Sequence, residues 1–237
     1  MKKAIAIRRD SMIGARLFLA TAFLSTFLGC AAAPRKAEPP AAAAPPPQSA
    51  SFHAKNGSIL LAKGRYDEAI DAFTKAIALD GKNPDALNSR GIAWFEKGEY
   101  AKAVVDVSKA IEVAPKFAAG YNTRGYIYYS RGQLDLALVD LDAALAINHR
   151  HEAAYNHRGL VNSAKGLYGA ALADFDRALD IDPGYHEVYA NRAAALEKSG
   201  RPREAIAAYE EYIRRAAPRE AAKVEAAKER VKSLRGQ

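Results

Sequence analysis

Apolar and polar positions along this chain follow a pattern that repeats every 34 residues, without a gap, from Ala50 to Arg219. In the second copy Leu87, Gly91 and Trp94 stand at i, i+4 and i+7, one face of a helix, and Ala103, Val107 and Ala110 do the same on a second. Gly98 lies between them, where a left-handed backbone would stop the first helix, and Pro115 closes the second. Each copy is thus predicted to be a helical hairpin, with five hairpins over residues 51–217. Gly64, Gly98, Gly132, Gly166 and Gly200 keep the step, as do Ala69, Ala103, Ala137, Ala171 and Ala205. A further series, Gly57, Gly91, Gly125 and Gly159, would let the two backbones of a hairpin approach closely. One hairpin alone leaves its outer apolar face wet, so the copies must stack.

The two ends depart from the repeat. His53 stands where later copies have Leu87, Tyr121, Tyr155 and Tyr189. At the other end Pro218 suits a first helical turn, and Val224, Ala227, Val231 and Leu234 form a single apolar stripe with a charged remainder. Residues 218–237 are therefore expected to be a helix that caps the last stacking face. Within the array, Arg90, Arg124 and Arg158 occupy one repeat position, and Asp106, Asp140 and Asp174 another of the same copies. The first copy lacks both, with Asn56 and Ala72, which suggests an ion pair across each hairpin. In the fifth, Arg192 faces Ala208.

Leu87, Gly91, Trp94, Tyr100, Ala103, Val107, Ala110 and Pro115 have the spacing of the tetratricopeptide repeat (TPR), and the chain resembles that superfamily from Ala50 to Arg219. The resemblance implies an all-α, right-handed solenoid of five helical hairpins plus a C-terminal capping helix. It also implies a concave groove lined by the first helix of each hairpin. On those helices Asn88, Asn122 and Asn156 share one position, followed at i+4 and i+7 by Ile92 and Phe95, Tyr126 and Tyr129, and Leu160 and Ser163. Side-chain amides donate and accept at once, so an extended peptide is the expected occupant of a groove built on Asn88, Ile92, Phe95, Asn122, Tyr126, Tyr129, Asn156 and Leu160. The superfamily's carboxylate-clamping basic set is replaced by Asp85, Ala119, Ala153, Ser89, Thr123 and His157.

Before the repeats, Met1 to Arg16 carries five basic residues and one acid, and Leu17 to Leu28 is uncharged and apolar. That run is shorter than the ~20 residues of a membrane span. It reads as an export signal over residues 1–29. Phe27-Leu28-Gly29-Cys30 resembles the lipobox of bacterial lipoproteins, with Leu28 where a small residue is more usual. The resemblance implies lipidation at Cys30, the single cysteine, and an anchor in the cell envelope, with Ala31 favouring the outer membrane. Residues 30–50, rich in alanine and proline, then form a tether of extended geometry.

The formal charge of +8 is concentrated at the two ends. Residues 214–237 hold eight bases against three acids, and the repeats with the tether are close to neutral, so a nucleic-acid partner is not expected. No phosphate loop, cysteine nucleophile or Gly-x-Ser-x-Gly is present. His151-Glu152 and His186-Glu187 begin like zinc-binding helices, yet Tyr155 and Ala190 replace the second histidine, so neither metal nor cofactor is expected. The sequence points to a non-enzymatic adaptor that helps assemble an envelope complex, in the manner of TPR lipoproteins that serve pilus or secretin assembly or gather peptidoglycan enzymes. A groove-based enzyme and a self-assembling structural lipoprotein, a homo-oligomer, are the alternatives.

Overall fold

The computed structural model describes residues 49–236, which fall within one compact unit, Pro45–Gln237. The expected signal, Cys30 and the expected tether up to residue 48 lie outside the described residues; of the tether's last two residues, Ser49 caps α1 and Ala50 opens it. Among those described, every regular element is helical. Five hairpins follow one another: α1 (Ala50–Ala62) with α2 (Tyr66–Leu79), α3 (Pro84–Glu96) with α4 (Tyr100–Val113), α5 (Ala118–Ser130) with α6 (Leu134–Ile147), α7 (Glu152–Ala164) with α8 (Tyr168–Ile181), and α9 (His186–Lys198) with α10 (Pro202–Arg215). A short 3-10 turn, Pro218–Glu220, leads into α11 (Ala221–Arg235).

The glycines do what the spacing requires. Gly98 adopts φ +79° after α3, and its counterparts at the other four hairpin turns are also left-handed. Inside the hairpin, a Cβ built on Gly91 would lie 2.5 Å from Val107 Cγ2 and 3.2 Å from the Ala103 carbonyl oxygen. Only glycine therefore permits α3 and α4 to approach this closely. The alanine opposite, at positions 69, 103, 137, 171 and 205, is fully buried in every hairpin.

Charge reinforces the same contact. Arg90, Arg124 and Arg158 bind Asp106, Asp140 and Asp174 respectively, each within its own hairpin and through paired hydrogen bonds, and the three aspartates are buried. Each guanidinium also reaches back to the preceding hairpin, to Thr74 (3.1 Å), Ser108 (3.0 Å) and Asp142 (2.7 Å) respectively. Arg192, which faces Ala208, keeps only the backward bond, to Asp176 at 2.7 Å. These arginines join hairpins to one another as well as closing them.

Consecutive first helices touch (α1 to α3, α3 to α5, α5 to α7, α7 to α9), whereas consecutive second helices make no comparable contact. The array is thus shorter along its first-helix side, which makes that side concave. At the end, Ala227, Val231 and Leu234 of α11 are buried, with Leu234 part of the core formed by α8, α9 and α10. Val224 is partly buried. The helix is a cap, and Arg230 fixes it to α9 through a bidentate pair with Glu197.

Candidate functional site

The groove begins as a row of rings. Phe95 on α3 lies 5.5 Å from Tyr126 on α5, and Tyr126 stacks on His157 of α7 at 4.3 Å and 23°. Tyr129 and Tyr100 flank the row, 6.1 Å from Tyr126 and 5.6 Å from Phe95. These rings, with Ile92 and Leu160, are for the most part only partly buried, so the first helices present a continuous half-exposed apolar strip. Offset and edge contacts of this kind hold the rings without covering their free faces.

The asparagine row sits deeper. Asn88, Asn122 and Asn156 are all buried, at 7%, 8% and 4% exposure. His157 Nδ1 donates to Asn122 Oδ1 at 2.8 Å, and Asn191 Nδ2 donates to Asn156 Oδ1 at 2.9 Å. Asn156 Nδ2 in turn reaches the Tyr185 hydroxyl at 3.4 Å. Asn122 and Asn156 therefore tie α5 to α7 and α7 to α9. Asn88 differs, because Thr123 takes the place of His157 one repeat earlier; its Oδ1 is buried without a hydrogen-bond partner.

Towards the C-terminal end the strip opens into a cavity of ≈ 530 Å³. It is lined by Tyr126 of α5, by Asn156, His157 and Leu160 of α7, by Tyr185 and by Glu187 and Asn191 of α9, by Tyr209 and Tyr212 of α10, and by Lys223, Ala227 and Arg230 of α11. Of the residues expected from the sequence, Tyr126, Asn156 and Leu160 line this cavity; Ile92, Phe95 and Tyr129 belong to the strip that leads to it, and Asn88 and Asn122 are buried outside the cavity lining. Burial raises the pKa of Tyr126, Tyr185, Tyr209 and Tyr212, so their hydroxyls stay protonated and able to donate. Burial also lowers His157 to about 4, which keeps it neutral. The two cations are already engaged, Lys223 with Glu187 at 3.6 Å and Arg230 with Glu197. The cavity is thus aromatic, hydroxyl-rich and nearly balanced in charge.

Tyr185, Tyr209, Tyr212, Lys223 and Arg230 are not legible in the sequence as groove residues. Lys223 and Arg230 share one face of α11 at i and i+7, and that spacing is the one available signal.

Two family models match the sequence: one described as TPR repeat, over residues 57–98 and 125–166, and one described as tetratricopeptide repeat, over 163–231. The chain belongs to the tetratricopeptide repeat superfamily. A thermophilic TPR protein of Thermus thermophilus superposes with a TM-score of 0.68 at 24% identity, covering 80% of this chain and 100% of that one. MamA of Desulfovibrio magneticus RS-1 superposes at 0.57 and 20% identity, over 70% and 93% of the two chains. YrrB, a TPR protein with an unusual peptide-binding site, gives 0.52 and 20%, over 71% and 87%. At these identities the likeness concerns the fold. No curated protein matches the sequence. The TPR fold is one that mediates protein–protein interaction, and no helix among the described residues is long and apolar enough to cross a membrane.

Proposed function

We propose that this protein is a non-enzymatic scaffold, anchored in the cell envelope through a lipid on Cys30, whose TPR groove receives an extended, largely uncharged peptide segment of a partner. The observation that carries the reading is the strip Phe95, Tyr126, His157 running into the tyrosine-walled cavity. Aromatic faces bury much apolar area at little entropic cost, and protonated phenols donate to the carbonyls of an extended chain. The cations near the cavity already face carboxylates, so a neutral or aromatic segment suits it better than a terminal carboxylate. The spacing of first helices, ~10 Å, matches three residues of extended peptide, which gives one contact set per repeat.

The test uses the soluble chain from Ala31 onward, which contains the whole compact unit. It is panned against a displayed library of short random peptides. Enrichment of aromatic or aliphatic segments that is lost in Tyr126→Ala and Phe95→Ala supports the groove; binders indifferent to both substitutions reject it. The anchor is tested separately, by palmitate labelling and membrane sedimentation of the full chain against Cys30→Ser. Equal processing and sedimentation of the two would reject lipidation.

A further inference from the structure

His186 and Glu187 open α9 as the first two residues of a zinc-type helix do, and no second histidine follows one turn on. The fold brings in a different third group. Glu220, at the end of the 3-10 turn, places Oε2 at 2.8 Å from His186 Nε2, and an oxygen of Glu187 joins them, all within 4.8 Å of one another. Glu220 is only 8% exposed, yet neither its Oε2 nor His186 Nε2 makes a hydrogen bond, because the two atoms are close but misaligned for one. The Tyr212 hydroxyl is likewise buried without a partner, on a ring stacked 6.2 Å from His186. A buried carboxylate with an unsatisfied oxygen facing an unsatisfied imidazole nitrogen is a costly arrangement unless something sits between them.

We propose that His186 Nε2, Glu187 and Glu220 bind one divalent first-row cation of the zinc class, which clamps the capping helix to the last hairpin. One imidazole nitrogen and two carboxylate oxygens are a donor set that zinc accepts, with water completing the shell. A cation takes lone pairs from both His186 and Glu220, so no N–H needs to point at the oxygen. Donors 2.8 Å apart can each lie ~2.1 Å from one ion. Two carboxylates stand against one ammonium, Lys223, at 3.6 Å from Glu187 and 4.0 Å from Glu220. Lys223 is 67% exposed and can turn into solvent when the ion enters. Because α9 and the turn before α11 meet only in the folded chain, the ion favours the capped state.

The soluble chain, stripped with chelator, is titrated with Zn²⁺ by calorimetry, and its melting is followed at each concentration. One equivalent bound at about 1 μM or tighter, with a melting temperature that climbs with zinc, is the expected result. Glu187→Gln changes a half-exposed residue and leaves the fold intact; it and Glu220→Gln should each weaken binding at least tenfold. Lys223→Ala should tighten it, which a purely structural ion-pair cluster would not do. Absence of saturable binding below ~100 μM, affinity unchanged in Glu187→Gln and Glu220→Gln, or affinity lost instead in His149→Ala/His151→Ala would each overturn the assignment.

Discussion

Arg124 grips Asp140 across its hairpin through two hydrogen bonds of 2.8 Å, from Nε and from one terminal nitrogen, with the carboxylate 6% exposed and the guanidinium 21%. The side-chain bond to Asp140 raises the arginine's already high pKa, so removing the carboxylate strands a permanent charge in a partly dry place. Asp140→Ala should cost about 3 kcal/mol in urea unfolding. Asp142, which meets Arg158 at 2.7 Å but is 61% exposed, gives the contrast: Asp142→Ala should cost ~0.5 kcal/mol.

Two glycines in helices should respond to alanine with opposite signs. Gly91→Ala drives a Cβ into Val107 and the Ala103 carbonyl, and should destabilise by about 2 kcal/mol despite the helical preference of alanine. Gly169, near the start of α8, has nothing within 4 Å of a built Cβ, and Gly169→Ala should stabilise by roughly 0.5 kcal/mol. Thermal melts of the two variants decide the matter.

The three asparagines hold one repeat position yet should not behave alike. Asn122→Ala removes the acceptor of His157, and Asn156→Ala that of Asn191, each costing about 1–2 kcal/mol. Asn88→Ala deletes a buried oxygen that has no partner and should be near neutral. Denaturant midpoints of the three single variants provide the comparison.

Acid should loosen the middle of the array. His157 titrates near 6.5 when unfolded, while in the fold burial, helped by the neighbouring charge of His151, lowers it to about 4. A depressed base means that the neutral form stabilises the fold. That contribution is complete above pH 6.5 and declines as pH falls towards 4, by at most about 3 kcal/mol. Melting temperature measured across this window should fall less steeply in His157→Gln, which keeps a donor to Asn122.

Local chemistry is legible in the sequence; convergence is not. The left-handed Gly98, the Gly91 contact and the Arg–Asp pairs each lie within one hairpin, so a single period displays them. The apparent exception at Arg192 is resolved by Asp176 in the preceding hairpin, a partner found only by reading backwards. The repeat pattern assigns the asparagines to the first helices, where they lie, but the hydrogen bonds that satisfy Asn122 and Asn156 come from the following helix, through His157 and Asn191. The cavity and the His186–Glu220 contact depend on where α11 lands. Its apolar stripe sets which face packs; it does not set which charged residues then meet Tyr212 or Glu187.

The backward bonds of the arginines also grade the seams between hairpins. Arg90 meets a neutral hydroxyl at Thr74 and Arg124 another at Ser108, whereas Arg158 and Arg192 meet carboxylates at Asp142 and Asp176. Asp142 and Asp176 are 61% and 55% exposed, so these seams differ in charge, and hence in their response to salt, more than in strength. In the first hairpin Asn56 and Ala72 replace the arginine and its aspartate, leaving that unit without an ion pair of this type. A pull exerted from the N-terminal side would then release α1 and α2 before the hairpins that carry an Arg–Asp pair, while the tyrosine-walled end is held under its cap by Arg230 and Glu197.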